Sequence, residues 1–225
     1  MLSADCLRQQ LNVDECGYMA LRKFHALSAV FIAAFACVHI ANHLAGLSGA
    51  AEHIAFMEAA RSLYRFAPVE LALLSCVAFQ IVSGLRFVVR GRKKRHGFVP
   101  WLQAISGTYL SFFLVFHVGA VLFGRAVLNL NTNFYFAAAG FYVAPFQFFF
   151  APYYFFAVVA LFMHLGCAAY WHSQGRPRMA RVLVIALPST VGAVASLLIV
   201  LSLAGVLFPV EVPVRYKATY AAPHR

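Results

Sequence analysis

The sequence predicts an all-α polytopic membrane protein, with five transmembrane helices of which four form a bundle and the fifth is peripheral. Of its 225 residues, 63% are hydrophobic and only 11% are charged, and the mean hydropathy is +0.78. A helix that is apolar on all sides needs lipid or a large protein core around it. Several stretches also reach the length of roughly 20 apolar residues that spans the hydrocarbon core of a bilayer. These observations favour a chain that contacts the lipid bilayer directly.

Five apolar stretches are long enough to be the transmembrane helices, and prolines mark where three of them start. The predicted helices lie at about 24–47, 68–89, 101–124, 152–172 and 181–208. Pro68, Pro100 and Pro152 stand at or just before a start, where the missing N–H does no harm. The domain organisation that follows is a cytoplasmic N-terminal arm (1–23), a transmembrane domain (24–208) and an outer C-terminal tail (209–225).

The net charge of +11 comes from basic residues that gather in short loops beside the apolar stretches. RGRKKRHG joins the second and third helices, and SQGRPRMAR joins the fourth and fifth, whereas the loop after the third helix has only Arg125 for a long way. Because short basic loops stay in the cytoplasm, we expect a multi-pass protein of the inner (cytoplasmic) membrane. Its N-terminus is then cytoplasmic and its C-terminus outside. The basic residues serve topology, which argues against a nucleic-acid partner.

Two segments on the predicted outer side have helical or aromatic character. Residues 49–65 carry the apolar residues Ile54, Met57 and Leu63 at near-helical spacing, which predicts a short amphipathic helix lying on the outer surface. Residues 133–152 are rich in Phe and Tyr and are expected to follow the outer interface. The polar residues near the first segment are expected to form a solvated outer face; they are Glu52, His53, Glu58, Arg61, Arg65 and Glu70.

Polar side chains inside predicted membrane helices are rare, and each is a candidate functional residue. They are His39, His43, Gln80, His117 and His164. His39 and His117 each lie about 15 residues into helices of the same direction, so a rise of about 1.5 Å per residue puts them at one height. Gln80 and His164 share a second height, nearer the cytoplasm, on the two helices of opposite direction.

Two imidazoles at one height on two helices are the arrangement that bis-histidine haem ligation in a bundle requires. This predicts a haem-binding type of four-helix bundle, with His39 and His117 as ligands of the haem iron. His43, one turn further out, is an alternative ligand, or holds a propionate or quinone oxygen, or simply reaches toward water. His164 alone fits either haem binding or a hydrogen bond to the carbonyl of a neighbouring helix.

Several stretches together resemble a known family. RKFHALSAV, VHIANHL and FQIVSGL in the first half, WLQAISG and FLVFHVG in the third helix, and ALFMHLGCAAYWHSQG in the fourth are similar to the five-helix cytochrome b membrane anchor of succinate dehydrogenase and fumarate reductase. The resemblance runs over about 20–175. The order and spacing of the histidines, together with the charges of the loops, carry most of it.

The resemblance implies a cofactor and partners. In the di-haem members of that family an outer haem uses the first and third helices and an inner haem uses the second and fourth. His39 and His117 match the outer pair and His164 matches one inner ligand, but the other inner ligand falls on Gln80. Ala104 also departs from the family, which tends to have a basic residue there. The expected cofactors are therefore one haem b and a quinone.

The function that the resemblance implies is that of a b-type cytochrome transferring electrons between haem and the quinone pool. Such a chain is at most a non-catalytic electron-transfer and anchor subunit, with flavoprotein and iron–sulfur subunits as partners on the cytoplasmic side. The alternative is a haem-less divergent relative that acts as a structural or partner-binding membrane protein. A transporter fits less well, because no charged residue lies deep in a predicted span and no pair of Gly/Pro-broken helices is evident.

Overall fold

The protein is all-α, as the sequence predicts. The computed structural model describes the backbone of residues 4–220 and the side chains of residues 16–220, and within these bounds it contains helices and no strands. The eight α-helices of this part are α1 (Ala4–Ala45), α2 (Ala50–Tyr64), α3 (Ala67–Gly91), α4 (Phe98–Ala126), α5 (Phe134–Ala138), α6 (Gln147–His172), α7 (Arg178–Leu203) and α8 (Val214–Lys217).

Five of these helices are long and apolar enough to cross a membrane. The qualifying segments are Cys16–Ala45, Ala67–Lys94, Phe98–Ala126, Gln147–His172 and Arg178–Leu203. Large apolar side chains are exposed along their flanks, for example Leu71, Val82 and Val89 on α3. Since lipid tails accept such side chains and water does not, this surface is compatible with contact to a bilayer.

The ends of three helices differ from the predicted ones. The first helix begins at Ala4 and so includes most of the segment predicted as a separate arm. α6 begins at Gln147 and takes Pro152 into its second turn. α7 ends at Leu203, five residues early, because Gly205 adopts a left-handed φ of +71° that terminates an α-helix. Apolar composition alone extended that prediction, since the residues beyond Leu203 are also hydrophobic.

The membrane-spanning helices form a four-helix bundle with the fifth at its side. α3 packs between α1 and α4, α6 packs on α4, and α7 packs mainly along α6 and touches α1. Along their described lengths α1 and α6 barely approach each other. α1 and α6 are therefore linked mainly through α7, which packs along α6 and touches α1.

A cap of short helices covers one end of the bundle. α2 joins the end of α1 to the start of α3, α5 follows α4, and α8 follows α7, so all three lie at the same end, here called the capped end. Phe134, Leu203 and Tyr216 are almost completely buried in its core. The Ser202 hydroxyl donates to the Gly46 carbonyl at 2.9 Å, which ties α7 to the start of the cap. The basic segment Arg92–Lys94 lies at the opposite, basic end.

The prediction of a solvated face on α2 is wrong for two of its residues. His53 and Arg61 are buried together with Met57, whereas Leu63 is 70% exposed. The three buried residues recur every four positions, so they share one face of α2, and that face lies over the capped end of the bundle. Met57 and the half-buried Ile54 do face inward, as predicted. Glu70 is likewise not simply solvated, since it forms an ion pair with Arg125 at the end of α4.

Candidate functional site

Four histidines from three helices meet beneath the cap. The ring centroid of His39 lies 4.8 Å from that of His43 on the same helix and 5.9 Å from that of His117 on α4. His43 in turn lies 5.0 Å from His53 of α2. The structure thus brings together three of the four histidines predicted as site residues, His39, His43 and His117. It adds His53, whose role the sequence analysis missed.

A phenylalanine one turn earlier orients each of the two central imidazoles. His39 stacks on Phe35 with the ring planes 17° apart, and His117 stacks on Phe113 with the planes 15° apart. Residues four apart lie on one face of a helix, so each stack follows directly from the sequence spacing. The stacked rings hold both imidazoles toward the space between α1 and α4.

This space is a cavity of about 290 Å³. His39, His43, His53 and His117 line it, and α6 supplies further aromatic walls; these include Phe149, Phe150, Tyr153 and Tyr154. Met57 of α2 closes it on the side of the cap. The cavity therefore combines apolar and aromatic walls with a small number of nitrogen donors, which is typical of sites for cofactors and small aromatic ligands.

The donor set fits a bis-imidazole metal centre. Two imidazoles that bind one metal ion from opposite sides, each through a nitrogen about 2 Å away, have ring centroids about 6 Å apart. The separation of 5.9 Å between the His39 and His117 rings, whose planes are 68° apart, is compatible with this distance. Among the described residues, neither ring has a hydrogen-bond partner, so both keep nitrogen atoms for a ligand.

The cap contributes a second polar feature at the same cavity. Asn42 of α1 and His53 of α2 are both buried, and the Asn42 amide hydrogen-bonds the Nε2 atom of His53 at 3.1 Å. Burial, with a smaller contribution from nearby His39 and Arg61, lowers the pKa of His53 to about 4, so its ring is neutral at neutral pH. Both side chains line the cavity one turn beyond His39.

Gln80 and His164, which lie nearer the basic end, are arranged differently from the histidines beneath the cap. Gln80 donates its amide to the His25 carbonyl at 2.5 Å and to the Ser28 hydroxyl at 2.8 Å, which joins α3 to α1. The His25 ring in turn hydrogen-bonds the Ser83 hydroxyl at 2.7 Å. His25 is thus part of a hydrogen-bond network between α1 and α3.

His164 contacts α4 and not Gln80. Its Nδ1 atom lies 3.1 Å from the Gln103 carbonyl and 3.2 Å from the Ser106 hydroxyl. A Cβ atom at Gly107 would lie only 2.9 Å from the His164 ring, so the glycine leaves room for this ring against α4. The hydrogen bond to a neighbouring helix's carbonyl is the structural role that the sequence analysis left open for this residue.

The burial of His53 could have been anticipated from one signal in the sequence. His53, Met57 and Arg61 repeat at a spacing of four, and Met57 is one of the apolar residues from which the amphipathic helix was predicted. Polar residues in register with a buried apolar one share its face. His25 gives no comparable signal, because its burial depends on where α3 places Ser83.

Comparison with models of protein families, with curated proteins and with solved structures finds no match to this chain.

Proposed function

We propose that this protein is a membrane b-type cytochrome that exchanges electrons between a haem and the quinone pool. The observation that carries the proposal is the His39–His117 pair, whose ring centroids lie 5.9 Å apart on two helices that border one cavity. The predicted resemblance to the succinate dehydrogenase and fumarate reductase anchors points to the same two residues. Haem, when bound, supplies one-electron chemistry, and the protein supplies its ligands and surroundings.

The residues around the pair serve a redox cofactor in three ways. His39 and His117 would hold the iron, and the stacked Phe35 and Phe113 would fix the direction of each imidazole. The aromatic walls from α6 lower the polarity around the site, and the polarity around a haem tunes its potential. His43 is the alternative ligand on α1, or it holds a propionate or quinone oxygen.

The chain needs partners for any dehydrogenase chemistry, since its sequence has no flavin or nucleotide fingerprint. In this proposal the basic end faces the cytoplasm, by the positive-inside rule. The basic segment that includes Arg92–Lys94 then meets anionic lipid and sets the topology, or, as the alternative, docks flavoprotein and iron–sulfur subunits. The chain is then an anchor and electron carrier and not the catalytic subunit.

The second candidate function is a haem-less structural or partner-binding membrane protein. Gln80 and His164 favour it, because the polar atoms of both side chains form hydrogen bonds to neighbouring helices. In this alternative the outer histidines are also only packing groups. The two functions differ in whether the purified protein binds haem.

The experiment that separates them is a reduced-minus-oxidised absorption spectrum of the detergent-solubilised protein. We expect a six-coordinate b-type signal that His117→Ala and His39→Ala each remove, because one imidazole cannot supply both axial ligands. If His43 is the ligand on α1, His43→Ala will remove the signal and His39→Ala will leave it. His96→Ala, at an exposed position of the basic end, is the matched control and should keep the full signal.

A colourless protein, even when haem is supplied during expression, would contradict the cytochrome and favour the structural function. A six-coordinate haem signal that survives His117→Ala would also contradict the proposal, since the iron would then be held elsewhere.

A further inference from the structure

A groove of about 400 Å³, here called the α3–α4 groove, lies at the basic end, apart from the cavity that the four histidines line. Its lining includes Val88 of α3, Arg95 of the connecting loop and, on α4, Trp101, Ile105, Thr108 and Phe112. No residue of this groove also lines the histidine cavity. The groove is therefore a second candidate site, and the proposed function does not use it.

The α4 side of the groove has the direction and length of one lipid chain. Trp101, Ile105 and Phe112 are 47%, 63% and 44% exposed on a helix that is apolar enough to cross a membrane, so the groove opens toward lipid. Trp101 and Phe112 are about 16 Å apart along the helix axis. An acyl chain that crosses one leaflet covers about 15 Å, half of the hydrocarbon core. The groove can thus hold a chain that starts at the basic end.

Arg95 offers a positively charged group beside Val88 and Trp101. Its Nη2 atom donates to the Val88 carbonyl at 2.8 Å, and its guanidinium carbon lies 5.0 Å from the centre of the Trp101 ring. Within the described part of the chain, the other guanidinium nitrogens have no hydrogen-bond partner, and they are not shielded from the surroundings. A guanidinium that is held in place and keeps free N–H groups is suited to the oxygens of a phosphate.

The charge around Arg95 favours an anionic ligand over a neutral one. Among the residues whose side chains are described, both ion pairs lie at the capped end, so no carboxylate neutralises Arg95 there. The sequence has no acidic residue between Glu70 and Glu211, whereas residues 90–95 include five basic ones. Basic pockets beside membrane helices bind anionic lipid headgroups, and the same charge repels the ammonium group of a zwitterionic headgroup.

We propose that the α3–α4 groove binds one anionic phospholipid, with its phosphate at Arg95 and one acyl chain along α4. The phosphate oxygens accept from the free guanidinium N–H groups, and the chain covers Ile105 and Phe112. This goes beyond a general attraction between the basic loop and anionic lipid, because it assigns the lipid to one guanidinium and one groove. The proposal does not depend on haem or quinone binding.

The test uses Trp101 as a fluorescent reporter inside the groove. The chain has two tryptophans, so Trp171→Phe leaves Trp101 as the single indole. This full-length protein is reconstituted in vesicles of phosphatidylcholine and phosphatidylglycerol, with brominated acyl chains on one lipid at a time. Bromine quenches indole fluorescence on contact, so the quenching gives the relative binding constant of the two lipids at Trp101. We expect phosphatidylglycerol to be preferred at least about fivefold, the effect of one basic side chain near a membrane surface.

Two variants in this background test the two ends of the bound lipid, each with a matched control. Arg95→Gln should reduce the preference to less than about twofold, whereas Arg92→Gln removes the same charge from an exposed position and should keep most of it. Thr108→Phe fills the groove without changing the charge, so it should at least about halve the quenching by brominated phosphatidylglycerol. Val115→Phe, exposed on α4 outside the groove, should not. If one variant does not fold, the other still decides.

Four results would each overturn the proposal. Equal quenching by the two brominated lipids would show that any lipid chain fills the groove, and equal losses in Arg92→Gln and Arg95→Gln would show only diffuse attraction to the loop. Weak quenching by both lipids would indicate another occupant, such as a helix of a second copy of the chain. Displacement of the brominated lipid by millimolar inorganic phosphate, at an ionic strength held constant with chloride, would indicate a site for free phosphate.

Discussion

Gln80 stands on α3 where the proposed cytochrome would need a histidine to bind a second haem, but its side chain joins two helices instead. Its amide bridges the His25 carbonyl and the Ser28 hydroxyl, so it joins α3 to α1 where an iron ligand would be expected. The residue type and its depth were evident from the sequence. Its partners were not, because they depend on the rotation of α1 relative to α3.

Gln80→Leu tests this role. The substitution removes both hydrogen bonds between the helices, and such bonds inside membrane bundles are worth on the order of 0.6–1.7 kcal/mol. We expect a lower thermal unfolding midpoint, followed by circular dichroism in detergent. Gln174→Leu, at an exposed position after α6, should leave the midpoint unchanged. An unchanged midpoint in Gln80→Leu would show that the bridge does not hold α1 and α3 together.

At the scale of elements, α6 and α7 form the most extensive helix pair, and glycine makes their contact possible. A Cβ atom at Gly166 would lie 3.1 Å from the Ile185 Cα and 3.2 Å from the Val184 carbonyl oxygen. Both are backbone atoms, which cannot turn away as a side chain can. Small residues at close helix contacts are the usual way in which membrane helices pack.

Gly166→Ala should therefore destabilise the bundle by about 1–3 kcal/mol, the range for overpacking. Gly119→Ala is a matched control, because a Cβ there meets nothing within 4 Å and alanine is the better helix former. Thermal unfolding followed by the fluorescence of Trp101 and Trp171 compares the two. Equal midpoints for both variants would contradict the close contact of α6 and α7.

The elements also show what the sequence could and could not predict about this fold. Hydropathy located all five long helices, because each presents apolar side chains on every face. The number of residues from each helix start predicted that His39 and His117 lie at one height, and the structure places their rings beside each other. The burial of His53 was missed, since an amphipathic pattern assigns polar residues to solvent and cannot reveal that a helix caps a cavity.

At the scale of the whole molecule, five spanning helices put the two ends of the described chain on opposite sides of the membrane. The basic end carries Arg92–Lys94, and the capped end carries the cavity with its four histidines. If the basic end is cytoplasmic, the proposed haem lies in the outer half of the bilayer. Its exchange of electrons with cytoplasmic subunits then depends on this orientation.

Alkaline phosphatase fusions test the orientation, because the enzyme folds only outside the cytoplasm. A fusion at the C-terminus should be active, and a fusion after Gly97 should be inactive. Fusions of green fluorescent protein at the same two positions should give the opposite pattern. An active fusion after Gly97 would reverse the topology and place the capped end on the cytoplasmic side.

The most direct test of the central claim is electron paramagnetic resonance of the oxidised, purified protein at low temperature. The account predicts a low-spin ferric signal typical of two axial imidazoles, at one haem per chain, that His39→Ala and His117→Ala each abolish. A high-spin signal in the unaltered protein, or a low-spin signal that persists in both variants, would contradict ligation of the iron by His39 and His117.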